Sequence, residues 1–321
     1  MQRLKVAVIG FGVMGAYHAN VYAALPHTEL IAIVDPLLSQ RRLASSNYAV
    51  ASYGSLRDML AVCRPDAVSI VTPTSLHYEL AKACLEAGIH VLVEKPVATE
   101  LEHAHHLIYL SRKRGLVLQV GHITRFYSAV QLLKNRVSSP YLIDARRLSP
   151  NGRVEDVGVV LDLMIHDIDI VLGLIPYKVQ ELMVSGQSLK GQHEDVAAAQ
   201  ILFENGAIAR FLASRVAPIS ERSFIIYEEQ QSLRLDFGKD PHTEVSVYRS
   251  YPDEYGNNHI QVTRTNVRED NPLRKELEHF LARIHHNVTP IGTLEDDLRS
   301  LELATTILQK LSQQKKLIPS G

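Results

Sequence analysis

The chain has 321 residues, 46% hydrophobic and 21% charged, with a formal net charge of -1. That length fits two domains, and that composition fits a soluble globular protein. A balance this even leaves no electrostatic footprint for nucleic acid or an anionic membrane surface. No uncharged apolar run approaches the ~18 residues of a membrane span, and the apolar part of "MQRLKVAVIG" is too short for a signal-peptide core. Cys63 and Cys84 have neither metal-type spacing nor a disulfide framework. They read as small buried apolar residues of a cytoplasmic protein.

The first third alternates strand and helix. "KVAVIG" is a β-rich run, followed by a helical "FGVMGAYHANVYAAL". The strand "ELIAIVD", a short helix near Ser39–Ala44 and the helix "SLRDMLA" come next. "DAVSIVT" and "HVLVEK" are strands around the helix "SLHYELAKACLEAG", which Gly88 closes. "TELEHAHHLIYLSRKRG" is a helix ending at Gly115, before the strand "LVLQVGH". Ser75 is placed to cap the helix after it, and Thr99 with Glu102 has the spacing of a capping box. The cluster "EHAHHL", with His103 and His106, lacks a matching Cys or carboxylate motif and reads as a solvated helix face. Continuous apolar strands separated by helices imply βαβ units and a parallel sheet covered on both faces. This is the grammar of a Rossmann doubly wound domain over residues 1–122.

Beyond residue 122 the pattern changes. Between Tyr177 and Arg249 the chain becomes a series of β-rich runs, with "ENGA" at 204–207 as an Asn-Gly hairpin turn and "YEEQQS" at 227–232 as another. Two helices follow, one with Pro272 in its first turn and one capped by Thr293. Residues 123–321 are therefore expected to form an α+β domain that holds a mostly antiparallel, open-faced sheet and both C-terminal helices.

"VIGFGVMG" places Gly10, Gly12 and Gly15 in the G-x-G-x-x-G pattern, after a strand and at the start of a helix. Asp35 ends the next strand twenty residues after Gly15, the spacing of a dinucleotide fingerprint. Gly10 permits the tight turn, and Gly12 lets backbone N–H groups approach a pyrophosphate. Gly15 lets helix and strand pack closely. The helix opened by Val13 and Met14 then turns its positive end to the phosphates. A carboxylate at Asp35 accepts the ribose hydroxyls and repels a 2′-phosphate, which favours NAD over NADP, although Arg41 and Arg42 lie near enough to weaken that preference.

"GVVLDLMIHDIDIVLGL" is aliphatic yet carries Asp162, His166, Asp167 and Asp169. On a helix, residues 162, 166 and 169 share a face, and Asp167 points elsewhere. A carboxylate one turn from an imidazole can orient it and stabilise its protonated form. Taken alone, the same stripe suits the solvent edge of an amphipathic helix. Arg146, Arg147 and Arg153 fall between the expected domains, where arginine forks would suit a diphosphate.

The fingerprint, "VTPTSLHYELAKACLEAGIHVLVEKPVA" at 71–98 and the Asp162–His166 segment together resemble the glucose–fructose oxidoreductase, inositol dehydrogenase and MocA (Gfo/Idh/MocA) family. The likeness runs from residue 3 to about 175, and Glu94-Lys95-Pro96 is its most distinctive piece. It implies NAD(P)-dependent oxidation of a sugar, cyclitol or nucleotide sugar. It also implies that Thr72, Pro73, Thr74 and His77 line the cofactor, that Glu94 and Lys95 lie beside the nicotinamide, and that Pro96 follows a cis peptide bond. By the same likeness Arg125, in "GHITRF", touches substrate or cofactor, and Asp162 and His166 belong to a catalytic helix. The Asp162–His166 segment is most similar to the branch that oxidises the 3-hydroxyl of UDP-N-acetylglucosamine. The catalytic set is then Lys95, His166 and Asp162, with His166 or Lys95 taking the proton and Asp169 either assisting or anchoring. Arg125, Arg147, Arg153, Asp162 and His166 would bind substrate. An NAD-using glycosidase and a non-catalytic dinucleotide sensor are the alternatives. The expected partners are a small-molecule sugar and a second copy of the chain, as a homodimer or homotetramer.

Overall fold

The computed structural model describes residues 3–150, 156–237, 242–252, 254–255 and 257–317. The N-terminal aliphatic runs and the segments between them fold as β1 (Leu4–Ile9), α1 (Val13–Ala24), β2 (Thr28–Val34), α2 (Leu38–Tyr48), β3 (Ala51–Tyr53) and α3 (Leu56–Val62). They continue through β4 (Ala67–Ile70), α4 (His77–Glu86), β5 (His90–Glu94), α5 (Leu101–Arg114) and β6 (Leu118–Gly121). All six strands pair parallel, in the order β3-β2-β1-β4-β5-β6. In open α/β sheets of this order, ligands bind at the carboxyl ends of the strands where the winding reverses, here β1 and β4.

Two helix starts differ from expectation. Ser75 lies inside a 3₁₀ turn, Thr74–Leu76, that leads into α4, and Glu100 rather than Thr99 occupies the cap position of α5, without a side-chain cap bond. The short strand β3, "ASY", has no aliphatic run to announce it.

The chain continues through α6 (Ser128–Arg136), β7 (Leu142–Leu148), a π-helical turn (Val160–Met164) and α7 (Ile165–Leu174). Seven strands follow: β8 (Val179–Gln187), β9 (Val196–Phe203), β10 (Ile208–Ser214), β11 (Glu221–Tyr227), β12 (Gln231–Asp236), β13 (His242–Pro252) and β14 (Asn258–Arg268). Their sheet has the order β14-β13-β12-β11-β7-β10-β9-β8. It is antiparallel except for β7 and β10, which run parallel. The β9–β10 hairpin turns at Asn205-Gly206, with Gly206 at φ +83°. Strand β7 was not anticipated because Asp144, Arg146 and Arg147 interrupt its apolar pattern. Yet it lies inside the sheet, with Ile143, Ala145 and Arg147 buried on one face.

The last elements are α8 (Pro272–His286) and α9 (Leu294–Leu317). Thr293 caps α9: its Oγ1 accepts the Asp296 N–H at 3.2 Å, and the Asp296 carboxylate accepts the Thr293 N–H at 2.8 Å.

The chain divides into two compact units. One comprises Met1–Ile123 and Leu273–Leu298, the other Thr124–Pro272 and Arg299–Gly321. Residues 273–298 therefore depart from the expected second domain. Leu273, Leu277, Phe280 and Leu281 of α8 are buried with Val6, Val8, Phe11, Tyr22 and Ile33 in the first unit's core. Removing that apolar stripe from water is the reason the helix belongs there. Among the described residues, no helix is long and apolar enough to cross a membrane.

Candidate active site

The glycine turn follows β1 directly. Gly10 has φ +92°, and a Cβ there would fall 2.4 Å from the carbonyl oxygen of Val71, the residue just after β4. The two strand-end turns thus touch at the switch point. At Gly15 a Cβ would fall 2.0 Å from the Gly10 carbonyl oxygen, so α1 can lie against the turn only with glycine there. Gly12 is different: nothing lies within 4 Å of an added Cβ. That open space sits at the N-terminus of α1, where Gly12 offers no side-chain cap, so the helix's leading N–H groups await an external acceptor. Val13, the next residue, is 59% exposed.

Asp35 follows β2 and is buried. Its Oδ2 accepts the Phe11 N–H at 2.8 Å and its Oδ1 accepts the Leu37 N–H at 2.8 Å. The carboxylate is thereby fixed beside the glycine turn, with a second lone pair on each oxygen. Arg41 donates through Nη1 to the carbonyls of Asp35 and Pro36, both at 2.8 Å.

His77 ties the next two turns together. Its Nδ1 lies 2.8 Å from the Pro96 carbonyl oxygen and its Nε2 2.9 Å from the Thr72 carbonyl oxygen. Two acceptors facing both ring nitrogens suit the doubly protonated imidazole. The Lys95–Pro96 peptide is cis. Thr72 Oγ1 is buried without a hydrogen-bond partner, as a hydroxyl reserved for a ligand would be. Room at Gly12 and this hydroxyl are the features that fit a dinucleotide.

Glu94 ends β5 mostly buried, with Gly121 of β6 so close that a Cβ there would lie 3.1 Å from the Glu94 carboxyl carbon. His18 of α1, fully buried, brings its Nε2 to 3.3 Å from Glu94 Oε1. Burial pushes the Glu94 carboxyl up, but His18, Lys95 and His77 more than offset it and hold its pKa below the usual value. An ionised Glu94 beside Lys95 follows.

In the second unit the aliphatic segment is not one continuous α-helix. The Ile165 N–H reaches back to the Val160 carbonyl, closing a π turn over Val160–Met164, a bulge that recurs at functional sites. Asp162 stands in that turn and His166 just after it, each half-buried. The π turn thus alters the spacing from Asp162 to His166, whereas His166 and Asp169 both lie in the regular helix α7. Asp167 and Asp169 are both buried and each is matched to an arginine. Arg147 Nε lies 3.0 Å from Asp167 Oδ1 and 3.1 Å from Oδ2, and its Nη2 also donates to Oδ1. Arg125 Nε donates to Asp169 Oδ2 at 2.9 Å, and Ser300 Oγ lies 3.3 Å from Asp169 Oδ1.

The start of the segment is clamped as well. Glu194 accepts the Val160 N–H at 3.0 Å through Oε1, and its carbonyl accepts the Val159 N–H at 3.0 Å. Arg215 donates to the Val157 carbonyl at 3.1 Å and to Asp195 Oδ1 at 2.6 Å. At Gly158 a Cβ would fall 2.0 Å from Glu194 Oε1, so a larger residue there would displace the Glu194 carboxylate from this clamp.

Residues 4–122 match the family described as an oxidoreductase family with an NAD-binding Rossmann fold, and residues 129–234 match the Gfo/Idh/MocA C-terminal domain. UDP-N-acetylglucosamine 3-dehydrogenase of Acidithiobacillus ferrooxidans is 34% identical over 239 residues, which are 74% of this chain and 75% of that protein. The chain belongs to the Gfo/Idh/MocA family. D-glucoside 3-dehydrogenase of Escherichia coli is 30% identical over 256 residues, 69% of this chain and 73% of that one. A solved structure of the Acidithiobacillus enzyme superposes with a TM-score of 0.85 at 29% identity, covering 96% of this chain and 97% of that chain. As a Gfo/Idh/MocA protein, this chain is an NAD-binding dehydrogenase that acts on a CH–OH group.

Within this Gfo/Idh/MocA fold the expected residues fall into clear groups. Gly10, Gly12, Val13, Met14, Gly15, Asp35, Thr72, Pro73, Thr74, His77, Glu94 and Lys95 all lie in the first unit, on or just after the carboxyl ends of β1, β2, β4 and β5. Arg125, Arg147, Asp162 and His166 lie in the second. Arg125 and Arg147, expected to touch substrate, are each paired with a buried aspartate. Asp169 is an anchor through Arg125, and Arg153 lies outside the described residues. Arg146 turns away from Arg147 and pairs with Asp144 at 3.2 Å.

His103 and His106 are not a solvated face. Tyr78 stacks on His103 at 3.8 Å and its hydroxyl meets His106 Nδ1 at 2.8 Å. Cys84 is buried, with its thiol pushed up to about 12 by burial, whereas Cys63 is half-exposed. Sequence reasoning missed His18, Glu194, Asp195 and Arg215. Only their spatial partners give them meaning, and those lie 76, 34, 20 and 58 positions away, at Glu94, Val160, Arg215 and Val157.

Proposed function

We propose that this protein oxidises the 3-hydroxyl of a UDP-linked N-acetylglucosamine to the 3-keto sugar, with NAD as oxidant. The similarity to UDP-N-acetylglucosamine 3-dehydrogenase, sustained over 96% of the chain in structure, carries the choice of substrate. NAD held at the glycine turn supplies the hydride acceptor. The remaining work falls to the chain's own side chains. His166 takes the hydroxyl proton, since an imidazole titrates near neutral pH. The Lys95 ammonium stabilises the developing alkoxide by charge and hydrogen bonding. Asp162, four residues before His166, orients the imidazole and favours its protonated form. Ionised Glu94, held by His18, balances the charges of His77 and Lys95 at the end of β5.

Lys95→Met and His166→Asn should each lower kcat by about 10²–10⁴-fold, the usual contribution of a positioned acid–base group. NAD binding, followed by fluorescence titration, should persist in both. Turnover near the wild-type rate in the two variants would remove the mechanism. Keto sugar should form in step with NADH when UDP-N-acetylglucosamine is supplied, or in step with reduced keto-acid where a keto-acid is added to reoxidise retained NADH. Cleavage of a glycoside without net NADH would point to the glycosidase chemistry instead.

A further inference from the structure

Three arginines of the second unit are buried, and each faces its own carboxylate: Arg125 with Asp169, Arg147 with Asp167, and Arg215 with Asp195. Arg222, on β11, breaks that rule. Its Nε is buried without a hydrogen-bond partner, and among the described residues no carboxylate lies within ion-pair distance of it. The guanidinium is instead packed into an aromatic corner. Its central carbon lies 4.3 Å from the ring centre of Phe237 and 5.1 Å from that of Tyr127. Those two rings meet edge to face at 5.6 Å.

Arg222 is also the cross-strand partner of Arg147 in the β11–β7 register. Two guanidinium groups therefore adjoin one carboxylate, Asp167, which Arg147 already grips through Nε and Nη2. The Nη1 group of Arg147 has no hydrogen-bond partner among the described residues. Burial, and then the like charge of Arg147, pull the Arg222 pKa down to about 10, with Tyr127 and Asp167 acting the other way. The group is still cationic at neutral pH. Cation–π contact, the Tyr127 hydrogen bond and the nearby Asp167 recover part of the cost of desolvating it, but two guanidinium groups share that one carboxylate, which leaves the pair with a surplus positive charge, and a folded protein rarely keeps such a surplus for stability.

We propose that Arg222, together with the free edge of Arg147, is the anion subsite of the second unit and receives the phosphate oxygens of a nucleotide-sugar substrate. The aromatic faces hold the guanidinium flat, Tyr127 hydrogen-bonds to it, and phosphate oxygens match the geometry of the donors that remain, the unpartnered Nε among them. Arg147 grips Asp167 of α7, the helix that also carries the proposed base His166. A carboxylate on a sugar acid shares this chemistry. The diphosphate is favoured because two forks exceed what a single carboxylate can occupy.

This inference rests on the nucleotide-sugar reading, and the test separates the two. Wild-type protein is titrated with UDP and with glucuronate, following the thermal unfolding midpoint, and the titrations are repeated with Arg222→Met. UDP should raise the wild-type midpoint and should do so far less in the variant. KM for UDP-N-acetylglucosamine should rise about tenfold to hundredfold in Arg222→Met, the range for loss of one hydrogen bond to a charged group, with kcat little changed. The unliganded midpoint should not fall, because an uncompensated charge has been removed. Arg222→Lys, which keeps charge and packing but lacks the fork, should be intermediate and serves if the Met variant fails to fold. A response confined to glucuronate would keep the anion subsite and assign it to a carboxylate. Wild-type affinity for UDP and glucuronate in both variants, or no response of wild-type protein to either probe, would overturn the subsite. UDP binding that needs Arg222, without turnover of any UDP-sugar, would overturn the substrate reading and leave the subsite standing.

Discussion

The first unit presents its candidate site with backbone, and the second with buried charge. Around α1 the ligand-facing groups are the N–H donors of a glycine turn, and the geometry depends on what is missing: no Cβ at Gly10 or Gly15, and open room at Gly12. Around α7 the candidate residues are held by side chains: Asp167 on Arg147, Asp169 on Arg125, and Glu194 and Arg215 on the entry to the π turn. A backbone site is encoded by neighbouring residues and tolerates almost no added volume. A charge-held site is encoded by distant pairs and tolerates exchange only when both partners change.

The sharpest way to break that contrast is at the glycines. Gly15→Ala would drive a methyl group to within 2.0 Å of a backbone carbonyl, which no side-chain adjustment can relieve. We expect loss of NAD binding together with a large drop in the unfolding midpoint, at or beyond the ~1–3 kcal/mol usual for overpacking. Gly12→Ala meets no atom within 4 Å. It should fold with a near wild-type midpoint and lose NAD affinity alone, because the methyl group would fill space meant for phosphate. Equal destabilisation by the two substitutions would show that the space at Gly12 is not reserved for a ligand.

The second unit should respond in the opposite manner. Arg147→Met removes the hydrogen-bonded partner of buried Asp167, and loss of one partner of a buried pair costs about 3–5 kcal/mol. Adding Asp167→Leu should restore much of that loss, since an apolar pair of similar volume often matches a buried ion pair. Denaturant unfolding of the two variants measures the difference. If the double variant is no more stable than Arg147→Met, the pair does more than neutralise charge, and its hydrogen-bond geometry itself positions α7.

The same contrast explains what could be read from the sequence. The parallel sheet was legible because five of its six strands are aliphatic runs and most of its turns carry a glycine or proline signal. The fingerprint from Gly10 to Asp35 was legible because its parts are local. Strand β7 was hidden, because Arg147 occupies a buried sheet position that only Asp167, twenty residues on, makes tolerable. The π turn was hidden as well, since an extra residue in a helical turn leaves no mark in an apolar pattern. It alters the spacing between Asp162 and His166, while Asp169, which the sequence left as assistant or anchor, is held by Arg125 and Ser300. Helix α8 was assigned to the wrong unit because its apolar stripe says that it packs, but not against what.

The smallest effect expected is the most specific to the charge-held unit. Asp195 is buried at the corner between β8 and β9, where it accepts Arg215 Nε and the N–H groups of Leu189 and Lys190 at 2.6, 2.5 and 2.7 Å. Burial alone would raise its pKa, but the Arg215 hydrogen bond, then those of Leu189 and Lys190, outweigh it and bring the value down to about 2. An unfolded aspartate titrates near ~3.9. The folded state thus gains stability from ionised Asp195 that is fully present above about pH 4 and is lost as the pH falls toward 2. Because Arg215 also holds the Val157 carbonyl, protonation should loosen the entry to the π turn before it unfolds the sheet. Stability measured by denaturant at pH 7, 5 and 3 should therefore fall less steeply in Asp195→Asn than in the wild type, from a lower starting value at pH 7. Parallel acid limbs in the two proteins would mean that other carboxylates set the acid response. Gly12→Ala, which touches no charged clamp, should keep the wild-type slope.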